Sequence, residues 1–339
     1  MAWDGTAWRK TLVEGLQQAG HTVISLYRFG SINPYTFAVK GFLRALCTPF
    51  DVLLADFATF GYLGARICKV VKKPLVVYAR GGDVDTKDPD FGVKFNVKWL
   101  KYALRNAQVI IAASNYLMER ILELFPESKE KLRLVYNSVD IEKFFPIKHK
   151  LGFKLLDVGN IMIYKKGHDT LIEALPKVVD RYPDTQLTVI GRDLAGEKEK
   201  LVALAQRLKV SRHVVFRGFV SDEELVCAYQ TSDLFVHPAR QEQFGVVLIE
   251  AMASGLPVIG GDACGIPEVV PEDSLVPVNK PYALAEKIID IFALSNEERW
   301  KIGERNRARV QSIFASSRQV NEVLGALEEA IQKYKGFTE

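Results

Sequence analysis

The stretch from His237 to Val270, HPARQEQFGVVLIEAMASGLPVIGGDACGIPEVV, constrains the chain more than any other. Two glutamates, Glu242 and Glu250, stand with seven residues between them. The pattern predicts a loop ending at Gly245, an apolar helix over Val247–Ser254 stopped by Gly255, and a short buried strand from Pro257 to Gly260. Glu250 then falls inside an apolar helix, where a carboxylate is costly unless something satisfies it. Sugar hydroxyls would satisfy it, because each can donate a hydrogen bond. The amides of Phe244, Gly245 and Val246 lie at the helix start, where unpaired N–H groups and the dipole favour an anion such as a diphosphate. The bland alternative is a solvated Glu242 and a half-buried, satisfied Glu250.

The whole string resembles the signature of glycosyltransferase family 4, a retaining family with the two-domain GT-B fold. The resemblance rests on Glu242, Phe244-Gly245, Glu250-Ala251, Gly255, Pro257-Val258 and Gly265-Ile266-Pro267-Glu268. It implies an α/β chain of two Rossmann-like domains with parallel sheets facing a central cleft. The expected parts are a first domain over 1–147, a nucleotide-sugar domain over 148–316 and a helix over 317–339 crossing back to the first domain. A length of 339 residues suits two domains, each with its own core.

In chain order, a helix is expected from Ala7 to Ala19, then a strand over His21–Leu26. Family members place a strand before this helix, and this chain begins after it. Asp51–Asp56 and Pro74–Ala79 read as buried parallel strands with a helix between them. Arg80 follows the second, at a position where the family often has histidine. An arginine there can pair with a phosphate or an acidic acceptor group, or with Asp83 or Asp85. Phe91–Ala107 reads as a helix carrying Lys94, Lys98, Lys101 and Arg105 on one face beside Phe91, Phe95 and Trp99. That face is a candidate for contact with anionic lipid; the alternative is a solvated face on a core helix.

Leu155–Gly159 opens the second domain as a strand ending in glycine. Lys166-Gly167 matches the family's Lys-Gly, whose cation holds the donor diphosphate, with Lys165 beside it. Asn160 stands where the family has arginine. Gly218 matches a turn beside the nucleotide base. His237 reads as a packing or hydrogen-bonding residue rather than a base.

The resemblance implies transfer of a sugar from a nucleotide-sugar, UDP- or GDP-linked, to a glycan, glycolipid or other acceptor, with the anomeric configuration retained. Glu242 and Lys166 carry the catalytic expectation; Glu250, Phe244, Gly245, Val246, Lys165, Asn160, Gly159, Gly218 and Arg80 carry donor binding. No cofactor and no metal are expected, since a lysine and a helix start already face the leaving charge. A binding protein weakened in catalysis, and a phosphorylase- or epimerase-like enzyme on the same fold, stay open. A net charge of +4 argues against a dedicated nucleic-acid binder. Cys47, Cys68, Cys227 and Cys264 show no metal-ligand spacing and suit a reducing cytoplasm, most of them as buried apolar residues. No apolar run approaches the length of a membrane span, so the expected location is cytoplasmic, with peripheral membrane contact through the Lys94–Arg105 face.

Overall fold

The computed structural model describes residues 7–24, 34–85, 87–88, 97–148 and 152–336. By internal contacts the chain divides into two units. One comprises Leu12–Asn137 with Ser317–Glu339, the other Met1–Thr11 with Ser138–Ser316.

The first unit holds a parallel sheet of β1 (Leu53–Asp56), β2 (Leu75–Ala79), β3 (Val109–Ala112) and β4 (Leu132–Leu134), in that spatial order. β2 and β3 are wholly buried, which explains why they read as unbroken apolar runs rather than alternating ones. The helices preceding and joining these strands are α1 (Ala7–Gln18), α2 (Pro34–Cys47), α3 (Gly61–Val71), α4 (Val97–Asn106) and α5 (Asn115–Leu124), with α2 against α3. Ser114 caps α5, accepting the Leu117 N–H at 3.2 Å. The strand expected over His21–Leu26 does not form in its described part. His21–Ile24 is coil, mostly exposed, and joins no ladder; Ser25 and Leu26 lie outside the described residues.

The second unit holds six parallel strands: β5 (Lys154–Val158), β6 (Gln186–Ile190), β7 (Val214–Gly218), β8 (Leu234–His237), β9 (Val258–Gly261) and β10 (Leu275–Val276). Their spatial order is β10-β9-β8-β5-β6-β7. The order reverses between β5 and β8, and the carboxyl ends of strands at such a reversal are where open parallel sheets bind ligands. The helices are α6 (Ile163–Lys166), α7 (His168–Arg181), α8 (Lys198–Arg207), α9 (Asp222–Thr231), α10 (Val246–Ala253), α11 (Ile266–Val269), α12 (Pro281–Ala293) and α13 (Asn296–Ile313). Residues 138–147, expected at the end of the first domain, pack in this unit. Phe144 is buried edge-on to Tyr229 at 5.7 Å, and Lys143 pairs with Asp222 at 2.7 Å.

The last helix, α14 (Ser316–Gly336), sends Val320, Val323, Ala326 and Ala330 into the core of the first unit. Gln319 donates to the Tyr78 hydroxyl and the Tyr136 carbonyl, both at 3.0 Å. Arg133 grips Glu329 with two nitrogens. Two of the four cysteines, Cys47 and Cys227, are exposed, contrary to the expectation that most are buried; each lies at the solvent face of its helix. Among the described residues no helix is long and apolar enough to cross a membrane.

Candidate functional site

The site is built where β5 and β8 end side by side. After β5 the chain runs through Gly159 and Asn160 into the one-turn helix α6, which delivers Lys166. Gly167 reverses the chain with φ 70°, and a Cβ there would overlap the Pro238 carbonyl oxygen, so the close turn requires glycine. Beyond β8, the loop Pro238–Gly245 delivers Glu242. Lys166 Nζ donates to Glu242 Oε2 at 2.5 Å, and both side chains keep a modest exposure of 20% and 16%. A Cβ on Gly159 would stand 3.8 Å from the Lys166 stem, and one on Gly245 would stand 3.4 Å from Glu242 Cγ. Lys166, Glu242, Gly159 and Gly245 are thus brought together.

Beneath that pair lies a buried network in which His237 is a hydrogen-bonding residue, as expected, and whose other members, Asp157 and His168, the sequence reading passed over. His237 Nδ1 donates to Asp157 Oδ1 at 2.9 Å, and its Nε2 stands 3.5 Å from Glu242 Oε2. The other oxygen of Asp157 faces His168 Nε2 at 3.4 Å. Burial alone would raise the Glu242 pKa, but the Lys166 ammonium and His237 outweigh it and hold the carboxyl well below the usual range. For His237, burial favours the neutral ring, yet the hydrogen bond to Asp157 and the nearby Glu242 carboxylate prevail and raise its pKa. Burial lowers that of His168 against the pull of Asp157. An aspartate in the middle of the apolar strand Leu155–Val158 is the signal that would have found this network.

Arg240 was also missed. Its backbone N–H donates to the Lys165 carbonyl at 2.7 Å, while its guanidinium reaches the Ile163 carbonyl at 2.5 Å, Asp169 at 2.7 and 2.8 Å, and Thr170 at 2.9 Å. It therefore ties the loop bearing Glu242 to the turn bearing Lys166. Lys165 contributes its carbonyl to this clasp, and its ammonium lies 5.5 Å from the Tyr164 ring.

Glu250 sits in α10, 6% exposed, where the Tyr229 hydroxyl donates to it at 2.9 Å. Burial pushes its pKa up to about 7, against the hydroxyl bond and Lys143. Burial and the neighbouring Glu250 raise the Tyr229 phenol well above its ordinary value. The Phe244 side chain points into the core against Phe314 at 5.6 Å, which leaves its backbone as the part that can serve a ligand. Val246 opens the helix, and its N–H is one of the first-turn donors a helix does not use internally.

On the other flank, Asn160 Oδ1 accepts the Arg192 N–H at 3.3 Å, and the Arg192 guanidinium lies over the Phe219 ring at 4.4 Å. Gly218 ends β7 with its carbonyl accepting the Gly191 N–H at 2.9 Å. Beside them is a small apolar recess lined by Val158, Ile190, Gly191, Phe219, Val220 and Leu225.

Arg80 belongs to the first unit. It donates to Asp56 at 2.8 Å and Asn137 at 2.6 Å, and stacks 3.6 Å over the Tyr78 ring. Asp83 is buried and accepts from the Ala58 and Gly81 amides, with burial pushing its pKa up to about 7. Asp85 accepts from the Tyr116 hydroxyl at 3.1 Å. Of the proposed basic helix, α4 carries Lys98, Lys101 and Arg105 on its exposed side, with Trp99 55% exposed and stacked on Tyr62 at 5.0 Å. Phe91, Lys94 and Phe95 lie outside the described residues.

Residues 141–309 match the family model described as "Glycosyl transferases group 1", and residues 14–143 match "Glycosyltransferase Family 4". Spore coat protein SA of Bacillus subtilis is 29% identical over 245 residues, which is 65% of this chain and 64% of that protein. The chain spans less than two thirds of the length of the first curated relatives it matches. A glycosyltransferase structure from Rickettsia africae superposes with TM-score 0.79 at 20% identity, covering 97% of this chain and 96% of that one. Anabaena Alr3699/HepE, solved in complex with UDP-glucose, gives TM-score 0.73 at 23% identity over 94% of this chain and 89% of that one. The two family models together run from residue 14 to residue 309, and the chain belongs to glycosyltransferase family 4, with the GT-B pair of parallel-sheet α/β domains.

Proposed function

We propose that the protein transfers a sugar, with retained anomeric configuration, from a UDP- or GDP-sugar to a glycan or lipid-linked acceptor. The observation that carries this reading is the Lys166–Glu242 pair beside the start of α10. The Lys166 ammonium and the first-turn amides at Gly245 and Val246 stabilise the departing diphosphate. Glu242, kept ionised, takes sugar hydroxyls and faces the positive charge that develops on the ring as the bond to phosphate lengthens. Glu250 accepts from the ribose diol. The turn at Gly218 lies beside the base, with Phe219 and Arg192 at its outer edge. No metal has a part in this scheme, because lysine and amides already face the leaving charge. The UDP-glucose bound to the Anabaena neighbour supports a UDP-sugar as the first donor to try.

The exposed Lys98, Lys101, Arg105 and Trp99 suit a protein resting on an anionic cytoplasmic lipid surface, which supports a lipid-linked acceptor. Thermal unfolding with UDP, GDP and ADP tests the donor site. At about 100 times its dissociation constant, the preferred nucleotide is expected to stabilise by roughly 2.7 kcal/mol. No shift with any of the three would refute the assignment.

A second reading is a nucleotide-sugar-binding protein of weakened catalysis. It is favoured by Asn160, which brings an amide rather than a cation beside Gly159, and by the commitment of Arg80 to Asp56 and Asn137. A nucleotide shift without turnover of any UDP- or GDP-sugar, with or without acceptor lipids, would identify it.

A further inference from the structure

One oxygen of Glu242 carries two cation sites at once. Lys166 Nζ holds Oε2 at 2.5 Å from the exposed side, and His237 Nε2 approaches the same atom to 3.5 Å from the buried side. The lysine contact is complete, whereas the imidazole contact has nearly an ångström left to close before it is a strong charge-assisted bond. His237 is fully buried and cannot exchange its partners for solvent. The charged or titratable groups that act on it are Asp157 on β5, His168 on α7, Lys166 on α6 and Glu242 on the loop after β8, with the Phe235 ring stacked at 6.1 Å.

Two demands then fall on Lys166. It neutralises Glu242 in the free protein, and it is the cation that a donor diphosphate would claim. If the diphosphate took the ammonium and nothing replaced it, Glu242 would be left as a poorly solvated carboxylate and would tend to take up a proton. A protonated Glu242 loses the charge it needs opposite an oxocarbenium-like sugar.

We propose that Asp157 and His237 form a second, internal cation site for Glu242, which takes over the carboxylate when a donor diphosphate engages Lys166 and keeps it charged and aimed at the sugar. Asp157 fixes the ring by its Nδ1 bond, and His168 Nε2 stands 3.4 Å from the far oxygen of Asp157. His237 is thereby a positioning residue acting through Glu242. The inference rests on reading the site as a donor site.

The test compares wild type with His237→Gln at saturating UDP-sugar across pH. His237 must be protonated to serve, and its pKa lies above the ordinary value. Wild-type turnover is therefore expected to fall as pH rises through that raised pKa. His237→Gln is expected to slow turnover by roughly ten- to hundredfold, the scale of losing the orientation of a reacting group. Its donor KM should rise as well, because donor binding and the His237 charge are linked through Glu242, and the alkaline fall should vanish. Unchanged turnover with the same alkaline fall overturns the proposal.

Should the variant fail to fold, the wild-type His237 ring is followed by nitrogen NMR with and without UDP. Addition of UDP is expected to raise the pH at which the ring loses its proton, because more of the Glu242 charge then falls on it. UDP binding with an unmoved or lowered ring titration removes the relay alone. Absence of UDP, GDP and ADP binding removes the donor reading, and the relay with it.

Discussion

Glu250 lies within an apolar helix, with the Tyr229 hydroxyl at 2.9 Å and a pKa near 7. Its folded-state pKa stands above the unfolded value, so the native state holds a proton that the unfolded chain has already released. Stability therefore declines as pH rises between the two values, by about 3 kcal/mol in all. Glu250→Gln is expected to remove that decline and to raise the denaturation midpoint at pH 8 relative to wild type. The same change should weaken nucleotide binding by about tenfold, since a hydrogen bond to a charged acceptor becomes one to a neutral amide. A variant that gains stability at pH 8 and keeps full nucleotide affinity would detach Glu250 from the ribose. Lys166 should behave differently. Lys166→Ala is expected to lower turnover by about two to three orders of magnitude, the cost of removing one donor from a developing anion, measured at saturating nucleotide-sugar.

The turn from Ile163 to Thr170 is short enough that its shape depends on what holds it. Arg240 binds its carbonyls and its acidic side chain together, and Gly167 lets it pass under Pro238. Arg240→Ala is expected to quicken amide exchange at Lys165 to Gly167 and to shrink the thermal shift given by nucleotide, while the rest of the second unit exchanges as before. Uniform loss of protection across the unit would mean a global packing role instead. Gly167→Ala should cost upwards of about 1 kcal/mol, the strain of a side chain in the left-handed region.

The same turn shows what could be read in advance. Lys166-Gly167, the boundaries of α10 and the strands β2, β3 and β9 were legible, because periodicity and glycine placement are local properties. Arg240 was not, since its partners Asp169 and Asn279 are far away in sequence and only the fold joins them. Asp157 was open to view in an apolar strand, but its partners His168 and His237 come from two other elements. The strand expected over His21–Leu26 shows the opposite limit: a β-like composition forms no strand over His21–Ile24, where no neighbour pairs with it.

At the scale of the whole molecule, each unit has its own apolar core, one gathered on β2 and β3 and the other on β5, β6 and β8. The donor-site residues, apart from Arg80, all come from the second unit. Saturating UDP is accordingly expected to slow amide exchange around Gly159–Gly167, Gly191, Gly218–Val220 and His237–Glu250, and to leave β1 to β4 unchanged. Protection that appears first in β2 or β3 would place the nucleotide elsewhere.

The helix α14 has a consequence for how the chain is made. Its residues fill the core of a unit whose strands precede it by about 180 to 270 positions, with Gln319 bonded to Tyr78 across 241 residues. A ribosome emits β1 to β4 long before that helix exists. The unit encoded first is therefore completed last, and the later-encoded sheet of β5 to β10 can close while the earlier one waits. Stalling translation just after Ser316 and probing the nascent chain with protease should find the second sheet resistant and β1 to β4 still open to cleavage.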